Sequence, residues 1–176
     1  QYKTEGVDLT LSSIVPTRSG YNFLGWGTSS TASGYSYAPG GIYSDDATIT
    51  LYAVWLPKSY SVKYDANGGS GAPGTQIKTH DVALTLSSTI PSKSGYRFLG
   101  WNISSTAVSA IYVAGGTYSR EGDTTLYAVW EKIPEQYMIT YNANGGVGAP
   151  GFQIKTENVA LTLSSVEPTR EGYNFL

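Results

Sequence analysis

The sequence predicts a mainly β protein made of tandem small sheet repeats, with little or no helix. Three observations carry that reading. The chain repeats itself: GYNFLGW at Gly20–Trp26, GYRFLGW at Gly95–Trp101 and GYNFL at Gly172–Leu176 begin 75 and then 77 positions apart. Its apolar residues alternate with polar ones at period 2, the pattern of half-buried strands. Its composition, with 15 Tyr and 21 Gly among 176 residues, suits pleated surfaces joined by glycine-bearing turns.

The repeat register extends beyond that motif. LTLSS occurs at Leu9–Ser13, Leu84–Ser88 and Leu161–Ser165, and LYAVW at Leu51–Trp55 and Leu126–Trp130. The joints LPKSY (56–60) and EKIPEQY (131–137) differ in length by two residues, which accounts for the second spacing. The units are therefore read as residues 1–56, a partial repeat without its first hairpin strand; 57–131, a complete repeat; and 132–176, a partial repeat without its second half. Joints this short leave little slack, so the units are expected to stack as a semi-rigid rod. Compactness scaling gives each unit a diameter of roughly 30 Å.

Within the complete unit the elements follow in order. Tyr60, Val62 and Tyr64 alternate with Ser61, Lys63 and Asp65 in a first strand. Asn67-Gly68 supplies residues that tolerate positive φ, and the glycine-rich continuation through Pro73 predicts a longer hairpin loop. Gln76–Thr79 returns as a short strand, and Val82, Leu84 and Leu86 alternate until Pro91 breaks the run. Tyr96–Trp101 is a strand in which Gly100 supports a bulge. Thr124–Trp130 closes the unit with Leu126, Ala128 and Trp130 on one face, echoed by Ile49, Leu51, Ala53 and Trp55. No segment carries a sustained apolar stripe of helical period. The expected core is Tyr21, Phe23, Trp26, Leu51, Trp55, Tyr64, Phe98, Trp101, Leu126 and Trp130.

Charge and chemistry exclude several classes of function. Eleven basic residues against 13 acidic ones give a formal charge of -2, no footprint for nucleic acid. No apolar run reaches the roughly 20 residues that span a bilayer, so no membrane insertion is expected in this segment. Cysteine is absent, which removes disulfides and thiolate metal sites. With one unrepeated histidine, His80, no nucleophile, base and orienting group can be assembled into an enzyme. Its counterparts are Glu5 and Glu157, and it reads as a surface loop residue. Asp45 with Asp46, and Glu121 with Asp123, lack the ligand spacing of a calcium loop and read as solvated turns. Lys3, Lys78 and Lys155 recur at one position; a solvent-facing strand lysine is preferred over an isopeptide donor. Asn102-Ile103-Ser104 is a formal glycosylation sequon. No cofactor, catalytic or metal residue is assigned.

The order YDANGGSGAPGTQIK, GYRFLGW, GDTTLYAVW resembles the Listeria–Bacteroides repeat, the B repeat of internalin-type surface proteins, over essentially the whole chain. The resemblance implies a small β-grasp-like, ubiquitin-like sheet domain on extracellular bacterial surface or wall proteins, with no catalytic residues. Asn102–Thr117 departs from the family's usual segment. The reading that follows is a structural and adhesive stalk whose partners are neighbouring repeats. An alternative is a binding module in which Tyr35, Tyr37, Tyr43, Tyr112 and Tyr118 contact a glycan or a host protein. Tyr137–Phe152 is also the opening hairpin that residues 1–56 do not contain, which predicts head-to-tail strand complementation between molecules.

Overall fold

A computed structural model describes all 176 residues. Twelve strands and no helix are present. They are β1 (Leu9–Thr10), β2 (Tyr21–Gly27), β3 (Ile42–Tyr43), β4 (Tyr52–Pro57), β5 (Ser59–Asp65), β6 (Gln76–Thr79), β7 (Leu84–Thr85), β8 (Tyr96–Asn102), β9 (Thr117–Tyr118), β10 (Thr124–Lys132), β11 (Gln136–Ile139) and β12 (Gln153–Thr156).

Strands β5 to β10 contain one four-stranded mixed sheet in the order β6-β5-β10-β8. Hairpin β5–β6 forms one edge, antiparallel from Ser59↔Thr79 to Val62↔Gln76. The first and last strands are neighbours and run parallel at the centre, from Thr124↔Val62 to Tyr127↔Asp65. Strand β8 completes the other edge, antiparallel to β10. A ribbon of β7 and β9, joined at Leu84↔Tyr118, brings further side chains onto the core face.

The turn after β5 takes the backbone its sequence requires. Asn67 has φ 48 and Gly68 φ 83, and Gly69 N–H donates to Ala66 O at 3.0 Å. The Asn67 side chain holds this turn against the sheet, donating from Nδ2 to Ala128 O at 3.0 Å and Ser105 O at 2.8 Å. Trp130 Nε1 donates to Ala66 O at 2.9 Å, so the turn and the last strand lock each other.

Val62, Leu86, Trp101, Tyr118, Leu126 and Ala128 form the buried core, flanked by Tyr64, Phe98, Tyr112 and Trp130. Strict alternation would put Phe98 and Trp101 on opposite faces. The pairing instead steps from Trp130↔Phe98 to Val129↔Gly100, leaving Leu99 as the extra residue of a bulge. Phe98 and Trp101 then share the core face, ring centroids 5.0 Å apart, with Tyr64 4.9 Å from Trp101 on its other side. Burial of Trp101 removes on the order of 200 Å² from water, about 5 kcal/mol gross. Its Nε1 has no hydrogen-bond partner in the protein, so the indole is held by its buried area and its aromatic neighbours.

Residues 1–56 repeat the bulge, stepping from Phe23↔Trp55 to Gly25↔Val54, but hold no counterpart of β5. Their expected core residues Tyr21, Phe23, Trp26, Leu51 and Trp55 are consequently only half-buried; the buried apolar side chains there are Tyr43 and Val54. Ile49, expected to face inward, is exposed.

The bulge imposes a steric requirement set by backbone. Gly100 has φ 140, and a Cβ there would lie 2.4 Å from Tyr112 O and 2.7 Å from Ala110 Cβ. We expect Gly100→Ala to lower stability by about 1–3 kcal/mol in urea denaturation. Gly74→Ala, where nothing lies within 4 Å, should change it by less than about 0.5 kcal/mol.

Candidate functional site

The recurring lysine sits on a strand whose faces are inverted relative to hydrophobic expectation. In β6, Ile77 points to solvent while Gln76 and Lys78 point inward. Hydrogen bonding fixes that register. Gln76 Oε1 accepts from Ser87 N at 2.9 Å and from the Tyr64 hydroxyl, and its Nε2 donates to Thr85 O at 3.1 Å. Lys78 is 1% exposed, and its Nζ donates to Glu121 Oε1 at 2.7 Å and Thr79 O at 2.9 Å.

This corrects the solvent-facing reading of Lys78. A buried ammonium is tolerable only when paired, and Glu121 supplies the charge. The pair repeats: Lys3 bonds Asp46 across the same 43-residue separation. Both carboxylates also cap the turn that follows the lysine, Asp46 accepting from Gly6 N at 3.1 Å and Glu121 from Asp81 N at 3.2 Å. Asp46 and Glu121 are thus exposed yet hydrogen-bonded to the fold, as is Asp123, whose Oδ1 accepts from Ser61 N at 2.7 Å. An ionised pair is inert toward amide formation, because the ammonium has no free lone pair and the carboxylate is a poor electrophile. Lys155 donates to Thr156 O at 3.0 Å.

The joints form the second constellation. Lys58 N donates to Gly20 O, and His80 N to Lys58 O, each at 2.8 Å. At the next joint Ile133 N donates to Gly95 O at 2.8 Å and Glu157 N to Glu135 O at 2.7 Å. Each linker backbone is therefore bonded to the unit before it and the unit after it. His80 is not a free surface residue: its side chain is 14% exposed and lies edge-on to Tyr21 at 5.1 Å and Tyr60 at 6.4 Å. Tyr21, expected in the core, belongs to this joint and also stacks under Arg18, 3.8 Å from its ring centroid. Glu157, the counterpart of His80, makes the equivalent contact through Lys132 at 2.6 Å and Glu135 N at 3.2 Å. That pairing holds the Glu157 carboxyl below its ordinary range and raises Lys132.

His80, Asp81 and Glu121 bring possible ligand atoms within 4.8 Å of one another. The two carboxylates face different ring nitrogens, Nδ1 at 3.0 Å from Glu121 and Nε2 at 3.3 Å from Asp81. Lys78 already occupies Glu121, so the arrangement is an ion-pair cluster. Asn102 is buried, donating to Ser109 O at 2.9 Å, and its amide is not free for a glycan.

The five tyrosines considered for ligand contact do not form one surface. Tyr43 and Tyr118 are 3% and 1% exposed, and Tyr43 donates to Ala47 O at 2.8 Å. Tyr37 and Tyr112 are half-buried, edge-on to Tyr43 and Tyr118 at 5.7 and 5.2 Å. Only Tyr35 is open, at 54% exposure.

One four-stranded mixed sheet flanked by units that repeat parts of it, two of the three units carrying the lysine–carboxylate latch and all joined by bonded linkers, defines a tandem repeat protein. The chain matches the Listeria-Bacteroides repeat domain over residues 1–54, 60–129 and 137–176, and it belongs to that family. It is 30% identical over 159 residues, 90% of its length, to a protein of Evansella cellulosilytica named as a Gly-rich membrane protein. A second protein of that organism, named as a membrane protein, is 27% identical over 180 residues and 99% of the chain. Internalin H of Listeria monocytogenes is 32% identical over 132 residues, 71% of the chain. The chain spans between 18% and 26% of the length of these relatives. No solved structure matches it.

Lys78 and the backbone at Asp81 hold Glu121 well below the ordinary carboxylate range, at about 2. Its folded value lies below the unfolded one, so its contribution is present above about pH 4.5 and is lost as pH falls toward 2. Asp46 is lowered in the same sense by Lys3. Urea midpoints should therefore fall over that window. Glu121→Gln should lower stability at neutral pH and remove up to about one proton of the uptake linked to unfolding in acid.

Proposed function

We propose that these repeats are a non-catalytic stalk of an extracellular bacterial surface protein, spacing a binding region from the cell. The observation that carries the reading is the parallel pairing of β5 with β10. When first and last strands run the same way side by side, the chain enters the module at one end and leaves at the other. Tandem copies then extend instead of folding back, as they would if the two strands were antiparallel. A nine-residue strand such as β10 spans roughly 30 Å at 3.3–3.4 Å per residue, the reach each unit adds.

Two further features support it. The linker bonds and the His80 and Glu157 contacts restrict bending at both joints. The titratable set common to two units, Lys3–Asp46 and Lys78–Glu121, is internally neutralised and serves the fold. The names of the relatives, two membrane proteins and an internalin, support placement at the cell surface. The tyrosine-based binding reading has less support: Tyr43 and Tyr118 are buried, Tyr37 and Tyr112 half-buried, and the open Tyr35 covers Gly25, whose added Cβ would meet the Tyr35 ring at 2.6 Å.

A spin-label or fluorescence distance distribution between Thr10 and Thr140 should be narrow and extended. His80→Ala should broaden it, since an edge-on aromatic contact is worth about 0.5–1.5 kcal/mol. A distribution as broad as that of a flexible tether in the unaltered chain would refute the stalk. In glycan-array binding the chain should retain nothing, and Tyr35→Ala should leave that blank result unchanged.

A further inference from the structure

Asn67 and Asn144 are the asparagines that precede glycine, and that dipeptide carries a chemistry of its own. A glycine has no side chain to shield its amide nitrogen. The nitrogen can therefore reach back to the side-chain carbonyl carbon of the preceding asparagine and close a five-membered imide.

In residues 57–131 the dipeptide sits where the end of the first strand is tied to the last. Both hydrogens of the Asn67 amide are in use, Nδ2 donating to Ser105 O at 2.8 Å and to Ala128 O at 3.0 Å. Ser105 lies in the loop after β8 and Ala128 in β10, so one amide clamps the turn to two separate elements. Asn67 N donates to Asp65 Oδ1 at 2.7 Å, and Trp130 Nε1 reaches Ala66 O from further along β10. Gly68, by contrast, is exposed, and its N–H makes no hydrogen bond within the protein. Ring closure requires the Asn67 amide to turn its carbon toward that free nitrogen and then to release Nδ2 as ammonia. Both steps give up the bonds to Ser105 O and Ala128 O, so the closed turn opposes the reaction that its own sequence invites.

We propose that Asn67-Gly68 is a modification site gated by the β5 turn, protected while the turn is closed and deamidated when it opens. In the opened turn a solvent base takes the Gly68 N–H proton and the nitrogen bonds to Asn67 Cγ. The Cγ–Nδ2 bond then breaks, and Nδ2 leaves as ammonia with a proton returned by solvent. Water opens the imide at Cγ to give aspartate, or at the main-chain carbonyl to give isoaspartate. The balance is one water in and one ammonia out, with no change of oxidation state. Neither product keeps the pair of amide hydrogens. Aspartate sets a carboxylate oxygen against the carbonyl oxygens of Ser105 and Ala128 with no hydrogen between them, and adds a charge beside Asp65, which already accepts from residue 67. Isoaspartate reroutes the main chain through the side chain, adding a carbon to a turn set by φ 48 at Asn67 and φ 83 at Gly68. An opening that is reversible by itself thereby becomes a permanent release of the β5 turn from β10.

The test is incubation of the 176-residue chain in mildly alkaline buffer, with and without urea, with peptide mapping that scores aspartate and isoaspartate at Asn67 separately from Asn144. Conversion at Asn67 should be slower in the native chain than in urea by about tenfold or more, because the rate follows the population of the opened turn. Trp130→Phe removes the bond to Ala66 O and keeps an aromatic ring; it should raise the native rate about fivefold, the factor set by one hydrogen bond of ordinary worth. Asn67→Asp, which tolerates the same left-handed backbone, should lower the urea midpoint of the central unit. Equal conversion at Asn67 with and without urea overturns the proposal, as does an Asn67→Asp chain whose midpoint is unchanged. If Trp130→Phe does not fold, the native and urea rates of the unaltered chain still decide.

Discussion

One pairing governs this molecule: the parallel ladder between residues 62–65 and 124–127, about sixty positions apart along the chain. It places the aromatic LYAVW strand beside the YSVKYD strand, so the ring system of Tyr64, Phe98 and Trp101 meets the Trp130 face. Where the ladder is present, Leu126 and Ala128 are fully buried and β10 runs nine residues. Where it is absent, as in residues 1–56, the same LYAVW segment gives a six-residue strand, with Leu51 and Ala53 only half-buried. The five residues LYAVW are the same in both places. The difference shows that strand length and burial here are tertiary outcomes, set by a neighbour of high sequence separation rather than by propensity.

Much of the complete unit was legible for that reason in reverse: its strands carry period-2 alternation, and Asn67-Gly68 announces a turn that only positive φ can make. The bulge signal at Gly100 was legible too. Its consequence, that Leu99 is skipped and Phe98 joins Trp101 on one face, depends on the register with β10 and could not be read from one strand. Tyr43 and Tyr118 were misplaced because β3 and β9 are two residues long, too short to show a period. Both tyrosines lie in polar, glycine-rich surroundings that resemble a surface loop, and only the β1 and β7 ribbons draw them inward.

The buried lysine illustrates a different limit. A lone strand lysine is far more often solvated, and Ile77 beside it is the natural candidate for the inner face. The register is decided by Gln76 and Lys78, whose bonds to Tyr64, Ser87 and Glu121 outweigh the burial of one isoleucine. A signal was available in the repeat itself. Lys3 with Asp46 and Lys78 with Glu121 preserve both charge and spacing, and two copies of an opposite-charge pair at one separation point to contact. The joint residue gave no such sign, because His80 and Glu157 achieve the same bridge with different chemistry, an aromatic edge in one case and an ion pair in the other.

The parallel centre also determines how such a module carries load. If the proposed stalk is pulled at its two ends, tension would enter the complete unit at the start of β5 and leave at the end of β10. Because these strands are adjacent and parallel, the pull slides one along the other and loads the ladder bonds between them together, in shear. An antiparallel terminal pair would be opened from one end, one bond at a time. The flanking interactions oppose the same displacement: Asn67 ties the β5 turn to Ala128 in β10, Trp130 reaches back to Ala66, and Asp123 at the foot of β10 holds Ser61 N in β5. Three side-chain bonds at different heights thus cross the interface that tension would shear. The contacts that close the fold are the ones that would resist its extension.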